Sequence, residues 1–503
     1  MLFNSYIFIF LFLPIAMLGY FGLNRIGKYV LAKYFLVGMS LWFYAYFNIS
    51  YLWIIVASIA VNYICHRLML SKKMQGKYMG LRKCVFYAGL IFNIGLLFYY
   101  KYFNFFIDNV NSIFNLSVHV ETILLPLGIS FFTFQQIAFL ADTWRGEVDR
   151  QSLCDYMLFV TFFPQLVAGP IVSHKEMLPQ FVNRELKCPN VENIYNGLRI
   201  FGLGLSKKIL LADIIGQAVN WGYENVSDVK GLGAVLLVLF YTLQIYFDFS
   251  GYCDMARGLG YLFNFKLPVN FASPYKATNI IDFWNRWHMT LTRFFTQYVY
   301  IPMGGNRKGI ARTYVNILVV FFISGIWHGA GFTFILWGIL HGLLNVLTRI
   351  YHKFTEQISY PGKDSGFLGK VRVAFSVLMT FVCVGILWVF FRAESVSQAM
   401  TLLAQAFDFG AYSAVGKLAE PFVTMEIWYV FKVLKLDGFS FINYVPMCFY
   451  IALSLWLIWG CKNIAESEKE HKPTTMGCVL LSVLFVYCIV SLSNVSTFLY
   501  FNF

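Results

Sequence analysis

The residues best suited to chemistry in this chain are histidines placed where histidine is costly. His328 lies in Ser324-Gly325-Ile326-Trp327-His328-Gly329-Ala330, between the apolar runs Val315–Ile323 and Phe332–Leu340. Hydrocarbon offers ring nitrogens no partner, so an ionisable group at that depth needs a protein partner or a water-lined cavity, and it marks a functional site by default. A neutral imidazole is a good general base toward a hydroxyl. The competing reading is a histidine tied to a neighbouring backbone carbonyl. His288 lies in Asp282-Phe283-Trp284-Asn285-Arg286-Trp287-His288. Helical spacing predicts Trp284 and His288 on one face, with Asp282, Arg286 and Arg293 on a neighbouring stripe. Such a face is either a solvated amphipathic helix or a basic, aromatic surface that holds an anionic donor or orients a second catalytic group. His341, thirteen positions beyond His328, reads as a packing residue.

Met303-Gly304-Gly305-Asn306-Arg307-Lys308-Gly309 is a glycine-basic turn. Its glycines expose backbone N–H groups and its cations suit phosphate, although an ordinary basic loop has the same composition. It lacks a Walker A pattern, so ATP hydrolysis is not supported.

The elements that must position these side chains are membrane helices. Of 503 residues, 59% are hydrophobic and only 13% charged, about half the charged share of a soluble protein. Apolar stretches recur at Tyr6–Leu23, Tyr34–Phe47, Tyr51–Cys65, Val85–Tyr100, Ile123–Leu140, Met157–Ile171, Gly231–Phe249, Val315–Trp327, Phe332–Leu347, Val373–Phe391, Phe449–Trp459 and Gly477–Val495. Ile200–Leu211 is a weaker stretch, interrupted by Lys207 and Lys208. The expected fold is all-α: a polytopic protein of about 11–13 spans, with re-entrant or interfacial helices, around a central polar tunnel. Met157–Ile171 and Ile200–Leu211 are the expected re-entrant or interfacial segments, and Ser395–Phe407 is an amphipathic run suited to the membrane surface. One integral-membrane domain is expected over 1–503, with wall spans in 1–120, a catalytic core in about 121–350, and C-terminal spans with an external loop in 351–503.

The net charge of +14 sits in short loops beside spans, among them Lys276–Arg312 and the Lys462–Lys472 turn. That is the positive-inside pattern, and it argues against a nucleic-acid partner. Ten scattered cysteines form no CxxC pair. They read as small buried hydrophobes, with no metal site. The unusual stretch is Leu243–Gly342, where Gln244, Asp248, Asn270, Asn285 and others interrupt membrane-like sequence and Pro268, Pro274 and Pro302 break helices. Backbone so irregular is tolerated at membrane depth only inside protein or around a cavity.

Several ordered motifs resemble the bacterial membrane-bound O-acyltransferase family, in its alginate O-acetylation branch. They include Leu243-Gln244-Ile245-Tyr246-Phe247-Asp248-Phe249-Ser250-Gly251-Tyr252, Phe283-Trp284-Asn285-Arg286-Trp287-His288, Tyr298-Val299-Tyr300-Ile301-Pro302-Met303-Gly304-Gly305-Asn306-Arg307, the segment around His328, and Trp388-Val389-Phe390-Phe391-Arg392-Ala393. The resemblance covers residues from about 90 to 395. It implies acyl transfer from a cytoplasmic thioester to an extracytoplasmic hydroxyl, with His328 as the essential histidine and His288 as the second histidine of the tunnel. Gln244, Asp248, Trp284, Arg286, Trp287, Asn306, Arg307 and Trp327 are the expected donor or substrate contacts. The resemblance further implies acetyl-CoA as donor substrate with no bound cofactor, a secreted or membrane-anchored polysaccharide O-acetyltransferase as partner, and a multi-pass location in the bacterial cytoplasmic membrane. Three readings compete with it: D-alanyl transfer from an acyl-carrier protein to teichoic acid, a transporter without covalent chemistry, and a scaffold.

Overall fold

The computed structural model of the chain describes residues 1–75, 78–357, 366–408, 413–436, 438–439, 441–468, 474–494 and 498–499. Lys77, the end of the Lys462–Lys472 turn and Val495 lie outside them. Among the described residues every regular element is helical. A backbone surrounded by hydrocarbon must satisfy its own polar groups, and the helix does so within one segment. Among the described residues, seven helices are long and apolar enough to cross a membrane, and three shorter apolar ones accompany them. The chain is therefore a multi-pass membrane protein.

In chain order the elements used below are α1 (Phe8–Arg25), α2 (Tyr29–Ala45), α3 (Tyr51–Met69), α4 (Met79–Phe114), α5 (Ile129–Arg145), α6 (Leu153–Thr161), α7 (Leu232–Leu262), α8 (Ile280–Arg286), α9 (Met289–Phe295), α10 (Ile310–His328), α11 (Phe332–Gln357), α12 (Phe367–Arg392), α13 (Val396–Gln405), α14 (Tyr444–Trp459) and α15 (Thr475–Val490). One expected span takes another form, and one segment expected to be re-entrant or interfacial is broken. Ile123–Leu140 becomes helical only from Ile129, after Gly128 turns in the left-handed region, and α5 buries most of its side chains in protein. Met157–Ile171 breaks at Phe162, where α6 ends and a single turn, Phe163–Leu166, carries Pro164 in its first positions. Ser395–Phe407 forms α13, whose Ser395 hydroxyl caps the Gln398 N–H. The cysteines are all free, but Cys84, Cys188 and Cys448 are exposed, contrary to their reading as buried hydrophobes; only Cys65, Cys154, Cys253 and Cys488 are fully enclosed.

The described chain divides into two compact units: Met1–Gly204 with Tyr252–Val269 and Leu492–Phe503, and Leu205–Gly251 with Asn270–Ser491. Buried polar side chains bind the helices of the first unit. Asn62 of α3 and Asn93 of α4 exchange amide hydrogen bonds at 3.2 and 2.6 Å. Gln136 of α5 donates to Ser58 at 3.0 Å and accepts from Tyr156 at 3.1 Å. Such bonds join helices where hydrophobicity alone gives no preference for one another over lipid. Lys33 of α2 reaches Asp155 of α6 at 2.5 Å.

The second unit is organised by the α10–α11 hairpin. Helix α10 stops at His328 and α11 starts at Phe332, with glycines at 329 and 331 in the gap. The two helices then touch backbone to backbone. A methyl group on Gly325 would lie 2.4 Å from the Phe334 carbonyl oxygen, and one on Gly338 would lie 2.4 Å from that of Phe321. Small residues at a helix crossing permit this approach. Gly338→Ala is expected to force the hairpin apart at a cost of about 1–3 kcal/mol, as overpacked cores do. A lowered thermal-unfolding midpoint in detergent is the check; an unchanged midpoint would mean the crossing has room to relax.

Candidate active site

The segment around His288 departs from the helix expected of it. Asn279 caps α8 by accepting from the Ile281 and Asp282 N–H groups, and Arg286 closes the helix with a 2.7 Å bond to Asp282, four residues back. His288 then adopts φ 45°, ψ 51°, left-handed values that cost a non-glycine residue, before α9 begins at Met289. Trp284 and His288 therefore do not share a helical face, and that expectation is corrected. The kink is held from outside the segment by Asn270. Its Oδ1 accepts from the Thr290 N–H at 3.2 Å and Oγ1 at 3.0 Å, and its carbonyl accepts from the Met289 N–H at 3.0 Å.

The same Oδ1 lies 3.1 Å from His288 Nδ1. An oxygen already receiving a backbone N–H is an acceptor, so Nδ1 must donate to it. In the neutral ring Nε2 then carries the basic lone pair. His288 is 1% exposed and lies outside the membrane-spanning helices. Burial pushes its imidazole down to about 3, with a backbone hydrogen bond opposing the shift.

His328 is the last residue of α10 and is 3% exposed. A closed circuit of rings joins the two histidines. His288 packs on Phe249 at 4.7 Å between centroids, Phe249 on Phe271 at 4.9 Å, Phe271 on Trp287 at 5.0 Å and Trp287 on Trp388 at 5.0 Å. Trp388 stacks on Trp337 at 5.7 Å, Trp337 meets His328 at 5.1 Å, His328 meets Trp327 at 4.8 Å, and Trp327 returns to His288 at 6.3 Å. Offset and edge-on pairs of this kind add about 0.5–1.5 kcal/mol each beyond burial and fix ring orientation. Phe391 packs on His328 from α12, at 5.1 Å.

His341 lies beside this circuit, fully buried among Trp284, Phe321, Trp337 and Trp388. Its Nδ1 accepts from the Trp284 indole N–H at 3.3 Å, so its tautomer is the reverse of that of His288. Beyond Trp284 and Phe321 opens a cavity of about 240 Å³, lined also by Ser324, Asn345 and Arg349. Ser324 stands one helical turn before His328.

The circuit thus unites His288, His328, Trp287 and Trp327, with Trp284 at its edge. It does not include Gln244, Asp248, Arg286, Asn306 or Arg307. Asn306 and Arg307 are exposed on the turn whose Gly305 carbonyl accepts from Asn316 at 2.9 Å. Gln244 packs against Gly216, and Arg286 is spanned to Asp282. Asp248 belongs to a buried ionic trio: Lys208 Nζ lies 2.6 Å from its Oδ1 and 2.7 Å from Asp213 Oδ1. Sequence reasoning gave no role to Asn270 or to Lys208. A lysine interrupting an apolar run is itself the signal, since a cation there requires partners.

Two outcomes follow from this geometry. Lys208→Met leaves two buried carboxylates without their ammonium and is expected to cost about 3–5 kcal/mol. Adding Asp213→Asn and Asp248→Asn should recover part of that loss, read as the folded, monodisperse fraction by size exclusion in detergent. The second concerns pH. An unfolded histidine takes up a proton near pH 6.5, whereas folded His288 takes it up only near 3, so the unfolded chain binds more protons between those values and stability falls as pH drops below 6.5. His288→Asn, which tolerates left-handed backbone, should show a shallower loss of thermal stability from pH 6.5 to 4 than the wild type.

Comparison with known proteins bears on the same segments. The profile described as MBOAT, membrane-bound O-acyltransferase family, matches residues 115–390. The chain is 39% identical to the peptidoglycan O-acetyltransferase of Helicobacter pylori, over all of this chain and 98% of that one. It is 35% identical to the probable alginate O-acetylase AlgI of Pseudomonas putida, over 82% of this chain and 81% of the other. The teichoic acid D-alanyltransferase of Bacillus subtilis is 26% identical over 52% of this chain and 67% of its own length.

Proposed function

The chain belongs to the membrane-bound O-acyltransferase family and is an O-acyltransferase, and on that premise we propose that it moves an acetyl group from cytoplasmic acetyl-CoA to the outside of a bacterial cytoplasmic membrane. There, with a secreted or anchored transferase as partner, it serves O-acetylation of an envelope polysaccharide. Peptidoglycan is the first acceptor to try, because the relative matched along the whole chain bears that name. The whole chain, 1–503, acts as one acyltransferase domain.

The observation that carries this reading is the enclosure of His328 in aromatic walls at the end of α10. His328 takes the proton of an attacking hydroxyl as its oxygen bonds to the thioester carbonyl carbon. The C–S bond breaks, and the proton passes from the imidazole to the CoA sulfur. The imidazolium formed in between lies at the negative end of the α10 dipole, which favours a cation there. His288, its Nδ1 committed to Asn270, stays neutral and holds a fixed tautomer in the wall beside Trp327. The cavity beside Trp284 suits the thioester arm, and Arg349 on its lining suits the donor's phosphates, as do Asn306 and Arg307 on the exposed turn.

The test is CoA release from acetyl-CoA by full-length protein in detergent, with and without acceptor glycan. His328→Ala is expected to lower release by about 100-fold or more while leaving the protein folded, in line with loss of a general base. His341→Gln, close in volume and able to accept from the Trp284 indole N–H, should retain release within a few-fold, roughly the level of a packing perturbation. Near-normal release by well-folded His328→Ala would sink the assignment. Release only from a D-alanyl-charged carrier protein would place the chain with the teichoic acid branch instead.

A further inference from the structure

Toward the C-terminal end of α11 and the N-terminal end of α12 lies a second cavity, of about 530 Å³, that the acyl-transfer reading does not use. Its apolar wall is Leu344 and Leu347 of α11 with Phe375 and Met379 of α12, and Leu347, Phe375 and Met379 are exposed. Thr348 and Thr380 also line it, but each gives its hydroxyl proton to its own helix, to the carbonyls of Leu344 and Ser376 at 2.8 Å. Asn279 spends its carbonyl on capping α8. The cationic or ionisable nitrogen groups on the lining are those of His352 and Arg372, both exposed, with Tyr351 and Ser376 beside them. Among the described residues neither the His352 nor the Arg372 side chain has an ion-pair or hydrogen-bond partner. The wall from Arg372 to Cys383 runs about 16 Å along α12 at the helical rise.

An apolar trough between two membrane-spanning helices, with a guanidinium and an imidazole on its lining, matches one class of molecule in charge and in polarity. We propose that this groove binds an anionic phospholipid, its phosphate on Arg372 and His352 and an acyl chain along Leu344, Leu347, Phe375 and Met379. Arginine holds phosphate through paired, charge-assisted bonds, and membrane anions are attracted to cations at the interface. The same two helices carry Trp337, His341, Trp388 and Phe391 at their other ends. A lipid seated between them would brace the pair that frames His328, so transfer activity would depend on headgroup charge.

The experiment is native mass spectrometry of the full-length protein from micelles doped with phosphatidylglycerol or phosphatidylcholine. One retained phosphatidylglycerol per chain, with phosphatidylcholine lost, is expected. Arg372→Gln should weaken retention about ten-fold, the effect of one charged hydrogen bond, and Arg372→Lys should restore part of it. If Arg372→Gln does not fold, Leu347→Trp, which fills the trough from an exposed position, should exclude the lipid instead. Equal retention of the two lipids by the wild type, or unchanged retention in a folded variant, would overturn the proposal. So would displacement of phosphatidylglycerol by free CoA, which would make the groove a donor site, whereas inorganic phosphate should leave the lipid in place.

Discussion

Two helices must touch backbone to backbone before this site can exist. At the α10–α11 crossing, Gly325 and Gly338 leave no room even for a methyl group. The approach at Gly325 comes just before α10 ends at His328, where Gly329 turns to extended backbone. The same crossing sets Trp337 and His341 of α11 against the rings of α8 and α12. Larger residues would widen the crossing and separate rings whose contacts depend on a few ångströms. In a membrane no hydrophobic gradient drives helices together, so close fit and internal hydrogen bonds carry the association.

Polar groups in the second unit share one logic. Several of them are matched by another group within the protein. Asn270 meets three donors of the His288 kink with a single oxygen, which is economical where water is scarce. Lys208 stands between two carboxylates. Trp284 spends its indole N–H on His341. An aromatic wall excludes water without competing for the histidines' hydrogen bonds, and this lets imidazoles keep a defined tautomer.

Much of this was legible in the sequence, and the reasons differ by level. Long apolar runs announce membrane helices because hydrocarbon demands them, so α1, α3, α4, α7, α10, α11 and α12 stand close to where they were expected. The break ahead of Ile129 was missed, since an apolar run looks alike whether it spans the membrane or folds into the protein interior. Met157–Ile171, expected to be re-entrant or interfacial, does break at Phe162. His328 stood out because histidine is expensive in its surroundings. The geometry of His288 did not, because nothing in Asp282–Leu291 itself breaks a helix. The clamp comes from Asn270, eighteen residues earlier, and long-range side-chain bonds leave no periodicity to read. The pairing of Asp248 with Lys208 was not legible for the same reason, because the two lie forty residues apart.

The left-handed backbone at His288 makes this residue two things at once: a corner of the main chain and a ring within the aromatic circuit. Besides histidine, glycine and asparagine take such a corner readily, and they have no imidazole. Shape and ring chemistry are therefore separable at a single position. A family member could keep the corner while discarding the imidazole, and its fold would give no sign of the change.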